Sequence, residues 1–175
     1  VCYNLSKDRK VGISKGGKNQ LEIKEVFGFE SFWNEILIPN LAQKHQAKPV
    51  HSLEEITKLK ALFPDNIRQF NVYEKGVLVA GTTIFEAANV AHSQYISGKE
   101  EKNELGGLDL LHYHLLTEVY KEKKFFDFGI SNEEQGRNLN KGLSYWKESF
   151  GASTIVHDFY EVETINFTKL ENILK

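Results

Sequence analysis

The chain has 175 residues, a hydrophobic fraction of 41% and a charged fraction of 26%, which is the composition of one globular domain. Its formal net charge of -2 argues against a nucleic-acid-binding surface, and its single cysteine, Cys2, excludes an internal disulfide and a cysteine-rich zinc site. No apolar run approaches the roughly 20 residues of a membrane span. We therefore expect a cytoplasmic protein.

The N-terminal segment and the first strand have different sequence patterns. Residues 1–20 are basic, rich in glycine and without a hydrophobic period, so we interpret them as a linker arm. Residues 21–26 alternate apolar and polar side chains, which predicts a strand. We expect the folded domain to cover residues 21–162.

Two helices are predicted next. Apolar residues recur at helical spacing over Phe29–Leu37, and Pro39 predicts a kink or a new first turn. In the second helix, Ser52 and Glu55 have the spacing of a capping box, in which the hydroxyl and the carboxylate each accept a backbone amide of the other. Pro64 marks the end of this helix.

Three strands then form a predicted antiparallel meander. Residues 67–74 and 77–85 are joined by Lys75-Gly76, which is the right length for a tight hairpin, and residues 89–97 follow. The third strand is unusually polar. Simple alternation places two sets of side chains on opposite faces of it: His92, Gln94 and Ile96 on one, and Ala91, Ser93 and Tyr95 on the other.

A glycine pair precedes the next predicted helix. Gly106 and Gly107 would let a ligand approach bare amides at a helix N-terminus, where the helix dipole attracts phosphate groups. Within this helix His112 and His114 are two residues apart, so they point to different sides and cannot chelate one metal ion. We expect no metal site.

The C-terminal part alternates strands and helices. Residues 125–130 form an apolar, aromatic strand, and a helix is predicted near 138–150, followed by a strand at 153–160 and a tail at 163–175 that can form a short helix. Between the first strand and the helix lies a dense polar loop, ISNEEQGRNLN. Polar loops at the C-terminal ends of buried strands are where α/β folds usually bind ligands.

The order of elements indicates a layered α+β fold with a mixed central sheet and helices on both of its faces. Strands 89–97 and 125–130 are separated by one helix, so we expect them to be parallel neighbours. The three-strand meander supplies the antiparallel part of the sheet.

The polar residues near these two strands fit an acyl-transfer reaction. Such a reaction needs a base for the incoming nucleophile, donors for the developing oxyanion and an acid for the leaving group. Glu133, just past the buried strand, is our first candidate for the base, and His92 is a second base or a hydrogen-bond partner of the substrate. We assign substrate positioning to Gln94, Asp127, Ser131, Asn132 and Asn140.

This order, with a glycine-rich turn and a helix between the fourth and fifth strands, resembles the GNAT acyltransferase fold. In that family the two strands splay apart, the pantetheine arm of acyl-CoA binds the earlier strand, and the pyrophosphate rests on the turn. The resemblance implies a tyrosine general acid, Tyr95, and contacts to acetyl-CoA from Ile96, Ser97, Gly106, Gly107 and Leu108. The usual pyrophosphate motif, Gln/Arg-x-x-Gly-x-Gly/Ala, is replaced here by Asn-Glu-Leu-Gly-Gly.

Several stretches together resemble the FemAB-like branch of GNAT proteins. They are residues 49–56, 91–97, 106–111, 125–143 and 146–152, and the most specific are the DFGISNE segment and the Lys-x-x-Phe-Gly ending of the last long helix. This branch includes peptidoglycan aminoacyl transferases and acetyltransferases of bacterial polysaccharide loci, often with two GNAT domains in tandem. The resemblance therefore implies a second GNAT domain N-terminal to this chain, or a homodimer.

The function that we predict is transfer of an acetyl group from acetyl-CoA to an amino group of a sugar or sugar-linked precursor. One alternative is an aminoacyl transferase that acts on a cell-wall precursor, with aminoacyl-tRNA as donor and as its one nucleic-acid partner. The other alternative is a non-catalytic GNAT-like domain that binds a glycan or a partner domain.

Overall fold

A five-stranded mixed sheet forms the centre of the protein. The computed structural model describes residues 4–172, apart from the side chains of His45, Thr168, Leu170, Glu171 and Asn172. The sheet order is β1-β2-β3-β4-β5, with β1 (Glu22–Val26), β2 (Ile67–Glu74), β3 (Val77–Glu86), β4 (Val90–Gly98) and β5 (Phe125–Asp127). The first four strands are antiparallel and β5 is parallel to β4, so the predicted mixed sheet is confirmed.

One face of the sheet is covered by α2 and α3. Helix α2 consists of Glu30–Phe32, a π-helical turn over Trp33–Leu37, and Ile38–His45, and α3 is Leu53–Leu62. Pro39 lies in the first turn after the π-helical segment, as predicted. A proline clashes with the carbonyl four residues earlier, so a wider turn at this position accommodates it.

Two local features predicted from the sequence, a helix cap and a hairpin turn, are present in the structure. The Ser52 hydroxyl accepts the Glu55 amide at 3.2 Å, and Glu55 Oε2 accepts the Ser52 amide at 2.7 Å, which confirms the capping box. Lys75 and Gly76 both have positive φ, 48° and 81°, as a two-residue hairpin of type I′ requires.

The other face of the sheet packs against α4 and α5. Helix α4 runs over Gly107–His114 and continues as a π-helical turn over Leu115–Val119, and α5 is Lys141–Glu148. The predicted placement of helices on both faces is therefore confirmed. A 3-10 helix, Glu100–Leu105, connects β4 to α4.

Within the segment predicted as a linker arm, Lys7–Lys18 instead form helix α1. Ser6 caps it by accepting the Arg9 amide at 3.3 Å. The two buried residues of α1 are Gly12 and Gly16, which pack against the start of α4. Contact through glycines leaves no apolar stripe, so the hydrophobic pattern did not indicate a helix.

The C-terminal third differs most from the prediction. Strand β5 ends at Asp127 instead of residue 130, because Gly129 takes a positive φ of 73°. The polar loop contains a small hairpin, β6 (Asn132–Glu133) and β7 (Asn138–Leu139), and α5 begins after it. Residues 153–160 were wrongly predicted as a strand and are exposed chain without a strand partner among residues 4–172.

The tail forms a 3-10 helix over Thr164–Asn172, and residues 173–175, like residues 1–3, lie outside the described part. The predicted domain limits of 21–162 stay a prediction. Over residues 4–172, none of the helices combines the length and the apolar character of a membrane-spanning segment.

The sheet and α2 pack closely together at Gly81 of β3. A Cβ at this position would lie 2.7 Å from the Phe32 ring and 3.0 Å from Asn71 Oδ1. Gly81→Ala should therefore lower the free energy of unfolding by about 1–3 kcal/mol in urea titrations. Gly17→Ala on α1, where a Cβ meets nothing within 4 Å, is the matched control and should not destabilise. Equal stability of the Gly81→Ala variant and the wild type would contradict the close packing.

Candidate functional site

Strands β4 and β5 separate after a short common stretch. They pair at Val90–Phe125, Ala91–Phe126 and His92–Asp127, after which β5 ends while β4 continues to Gly98. The predicted splayed strand pair is thereby confirmed. Residues of β4 beyond His92 have no ladder partner in β5.

A β-bulge lies at the point where the strands separate. Tyr95 pairs with Thr83 and Ser93 pairs with Ile84, so Gln94 is an extra residue in β4. The extra residue shifts the alternation of side chains by one position. Ala91 belongs to the core on the α4 side, whereas Tyr95 belongs to the core formed with α2 and α3.

The shift corrects the predicted faces of β4. Ser97 lies on the α2 side, where Asn40 Nδ2 donates to its hydroxyl at 2.8 Å, and Ile96 packs with the aromatic cluster of α5 on the other side. The expectation that Ala91, Ser93 and Tyr95 share a face is therefore wrong. So is the expectation that Ile96 shares a face with His92.

Asp127, His92 and Gln94 form a hydrogen-bonded row at the point where β4 and β5 separate. His92 Nδ1 is 2.8 Å from Asp127 Oδ2, and His92 Nε2 is 3.1 Å from Gln94 Oε1. The Gly129 amide donates to Asp127 Oδ1 at 2.7 Å. Burial acts to raise the pKa of Asp127, but the Gly129 amide and the His92 ring together hold that pKa below its ordinary value. Three predicted site residues are thus brought together around an ionised carboxylate.

Gln94 can accompany both protonation states of the His92 ring. A carboxylate accepts hydrogen bonds only, so Asp127 holds a proton on Nδ1. When His92 Nε2 also carries a proton, it donates to Gln94 Oε1. When Nε2 carries no proton, the Gln94 side chain can flip so that its NH₂ group donates to the lone pair of Nε2. The arrangement suits a histidine that gains and loses a proton at Nε2.

Tyr95 is held by a residue that the sequence did not single out. Its hydroxyl accepts the His51 amide at 3.1 Å and lies 2.7 Å from His51 Nδ1, to which it can donate its proton. Trp33 Nε1 donates to the His51 carbonyl at 3.3 Å and its ring packs edge-on against Tyr95. Burial raises the pKa of Tyr95, against the lowering effects of the His51 amide and Gln94. The hydroxyl therefore stays protonated at neutral pH.

A groove of about 380 Å³ lies on the opposite side of β4, beside the start of α4. Its walls include Gly98 at the end of β4, Trp146 of α5 and Arg9 of α1. Four predicted cofactor contacts border it, namely Ile96, Gly106, Gly107 and Leu108. The fifth, Ser97, is not among the lining residues.

The polar loop after β5 makes its hydrogen bonds mainly within itself. Asn140 caps α5 by accepting the Leu143 amide at 3.0 Å, and its Nδ2 donates to Glu133 Oε1 at 2.8 Å. The backbone amide of Asn140 donates to the Ser131 carbonyl at 2.9 Å, and Asn132 Nδ2 donates to the Gly136 carbonyl at 3.3 Å. Glu133 is exposed and no contact joins it to His92. The roles predicted for these four residues stay predictions.

Lys147 of α5 is a buried cation that the sequence analysis missed. Its Nζ donates to the Gly129 carbonyl at 3.0 Å and to the Ile130 carbonyl at 2.5 Å, which fixes the chain where it leaves β5. Burial lowers the pKa of Lys147 to about 8, although the charge of Asp127 opposes the shift. A lysine inside the apolar stripe of the last helix was the available signal.

Comparison with solved structures identifies the architecture. The chain superposes on FemX with a TM-score of 0.67, 10% identity and coverage of 85% of this chain and 54% of FemX. It matches an aminoglycoside acetyltransferase from an uncultured soil metagenomic sample (TM-score 0.53, 14% identity, coverage 83% and 99%). It also matches a possible acetyltransferase from Clostridium difficile 630 (TM-score 0.58, 15% identity, coverage 82% and 97%).

The chain has the GNAT fold. The parallel β5 and its separation from β4 are the features that the sequence resemblance led us to expect, and the structural neighbours share the architecture. No protein-family profile matches the sequence, and no curated protein matches it. The chain spans about half of FemX, with 54% coverage, and nearly all of the two acetyltransferases.

The GNAT fold implies acetyl-CoA, and the groove fits only part of that molecule. The segment beside Ile96, Gly98 and Leu108 has room for a pantetheine-like arm. The turn that would hold the pyrophosphate does not fit, because Gly106 and Gly107 are buried and the backbone of Gly12 lies against Gly106. Over residues 4–172, no cluster of three or more His, Cys, Asp or Glu side chains could hold a metal ion.

Proposed function

We propose that this GNAT-fold protein transfers an acyl group from an activated donor in the groove to an amine on the α2 side of β4. The observation that carries the proposal is the Asp127–His92 pair, 2.8 Å apart, at the point where β4 and β5 separate. A histidine oriented by a carboxylate through Nδ1 presents Nε2 as a general base.

The proposed reaction forms a C–N bond and breaks the bond between the acyl carbon and its leaving group. The amine nitrogen attacks the acyl carbon, and Nε2 of His92 takes a proton from that nitrogen. The proton is returned to the sulfur or oxygen that departs, so the products are an amide and a free thiol or alcohol. Asp127 holds the ring in the tautomer that this transfer needs and stabilises the imidazolium that forms.

Two further groups support the transition state in this proposal. Gln94 is the extra residue of the β-bulge and has no ladder partner, and in this proposal its backbone amide donates to the developing oxyanion. Tyr95, whose burial keeps it protonated, is available as the acid or as a hydrogen-bond donor on the acceptor side.

The first candidate reaction is acetyl transfer from acetyl-CoA to an amino group of a sugar or sugar-linked precursor. The groove beside Ile96 and Leu108 supports it, since a thioester arm could lie there. The second candidate is an aminoacyl ester as donor, as in aminoacyl-tRNA. The buried turn at Gly106 and Gly107 favours this second donor, which needs no pyrophosphate site there.

The proposal extends to partners and location. The chain covers 54% of FemX, so a second GNAT domain N-terminal to it, or a second copy, could complete the acceptor side. The single cysteine supports a reducing compartment such as the cytoplasm.

A donor and acceptor panel tests the proposal. The protein is incubated with acetyl-CoA, acetyl-pantetheine or an aminoacyl-tRNA, each with glucosamine or with glucose, and products are identified by mass spectrometry. We expect the acyl group on glucosamine and none on glucose, because the base removes a proton from an amine. Absence of an acylated amine with all donors, also with a peptide amine as acceptor, would support a non-catalytic domain instead.

A further inference from the structure

The carboxylate of Asp109 lies in the first turn of α4. Asp109 is the third residue of the helix, where its carboxylate meets the positive end of the helix dipole. Its Oδ1 accepts Trp146 Nε1 at 2.9 Å and forms an ion pair with Arg9 of α1. Both side chains of the pair are largely buried, at 14% and 13% exposure. The carboxylate is therefore fixed in place from two sides.

Helix α1 covers the same turn. Gly106 has a positive φ of 79°, and a Cβ on it would overlap the Gly12 carbonyl and lie 3.0 Å from the Gly16 amide nitrogen. A Cβ on Gly16 would lie 2.7 Å from Leu110 Cβ. The glycines of α1 are thus what allows its backbone to rest on the turn. Approach of a bulky diphosphate from that side is blocked.

From these contacts we infer that Asp109, held by Arg9 and Trp146, occupies the anion position at the start of α4. As a consequence, the protein selects donors by the arm next to the acyl group and not by a diphosphate. The inference rests on the proposed function only in assigning the groove to a donor. A diphosphate placed near Asp109 would have to compete with its carboxylate for Arg9 and would meet a covered turn, and each disfavours its binding.

The consequence concerns the class of donor. The nucleotide part of CoA should add little to affinity, because α1 covers the turn that would hold its diphosphate and Arg9 is already paired with Asp109. The arm next to the acyl group can still contact Ile96, Gly98 and Leu108. Recognition should therefore be set by that arm, whichever carrier bears it.

Isothermal titration of the whole chain with CoA, pantetheine and adenosine 3′,5′-bisphosphate tests the inference without requiring turnover. We expect CoA to bind no more than about fivefold more tightly than pantetheine, and the bisphosphate not to compete with either. Failure of both CoA and pantetheine to bind would overturn recognition by the arm. CoA binding more than about fivefold tighter would overturn the inference, while an acylated product would leave the proposed function intact.

Two variants assign the effect to the residue. Asp109→Asn keeps the shape of the side chain and removes its charge, so the ratio of CoA to pantetheine affinity should rise by about three- to tenfold. Asp8→Asn makes the same change of net charge on α1 and should leave the ratio unchanged. Circular dichroism melts establish that each variant is folded. An unchanged ratio in a folded Asp109→Asn variant would overturn the role of Asp109.

Discussion

Replacement of His92 by glutamine should lower kcat/KM for the acceptor amine by about 10²- to 10⁴-fold, because a positioned general base contributes that much. Glutamine keeps a polar group within reach of Asp127 and Gln94 but cannot accept a proton at neutral pH. His92 is partly exposed, so the fold should tolerate the change. The measurement is the initial rate of amine acylation, with thermal melts run in parallel.

The matched control is His114→Gln, on a helix on the other side of the sheet. His114 belongs to neither the hydrogen-bonded row nor the groove, and this variant should keep wild-type turnover. Raising the pH should partly restore turnover in His92→Gln, because more of the amine is then unprotonated. Wild-type kcat/KM in a folded His92→Gln variant would rule out His92 as the base.

Acidification should destabilise the protein through His112. Burial lowers the pKa of His112 to about 4, although a hydrogen bond to the Leu108 carbonyl opposes the shift. Between pH 6.5 and 4, His112 therefore binds a proton in the unfolded chain but not in the folded chain, so the free energy of unfolding falls as pH falls. The difference in pKa corresponds to about 3 kcal/mol at pH 4.

His112→Leu should remove this component. In urea titrations at pH 7 and pH 4, the loss of stability on acidification should be about 3 kcal/mol smaller in the variant than in the wild type. Leucine fits a site lined by Phe128, Trp146 and Phe150, and the Ser93 hydroxyl keeps its contact with Thr82 Oγ1 at 2.6 Å. His114→Leu, on the same helix, should keep the wild-type pH dependence. Equal pH dependence of His112→Leu and the wild type would show that His112 is not the group responsible.

The sequence was sufficient where a few neighbouring residues determine the structure. The capping box at Ser52 and Glu55, the Lys75-Gly76 hairpin and the turn at Pro39 each depend on contacts within four residues. The parallel pairing of β4 with β5 followed from one helical connection between them. The parallel pairing places the two strands that separate, and with them the candidate site.

The sequence was insufficient where one extra residue or a distant contact decides. A bulge at Gln94 is invisible to a rule of strict alternation, so Tyr95 and Ile96 were assigned to the wrong faces. The pairing of His51 with Tyr95 joins positions 44 residues apart. Helix α1 is held by glycine contacts, which carry no hydrophobic signal. Each of these features shapes the site directly.

The most direct test of a donor groove between β4 and α4 is the rate of amine acylation in Gly98→Leu. A Cβ on Gly98 would meet Asn103 Oδ1 at 3.4 Å and Leu108 Cδ1 at 3.5 Å, which is ordinary contact, so the variant should fold and the rest of its side chain should fill the groove. We predict measurable transfer in the wild type and loss of transfer in the folded variant. Undiminished transfer in Gly98→Leu would contradict the groove as the donor site.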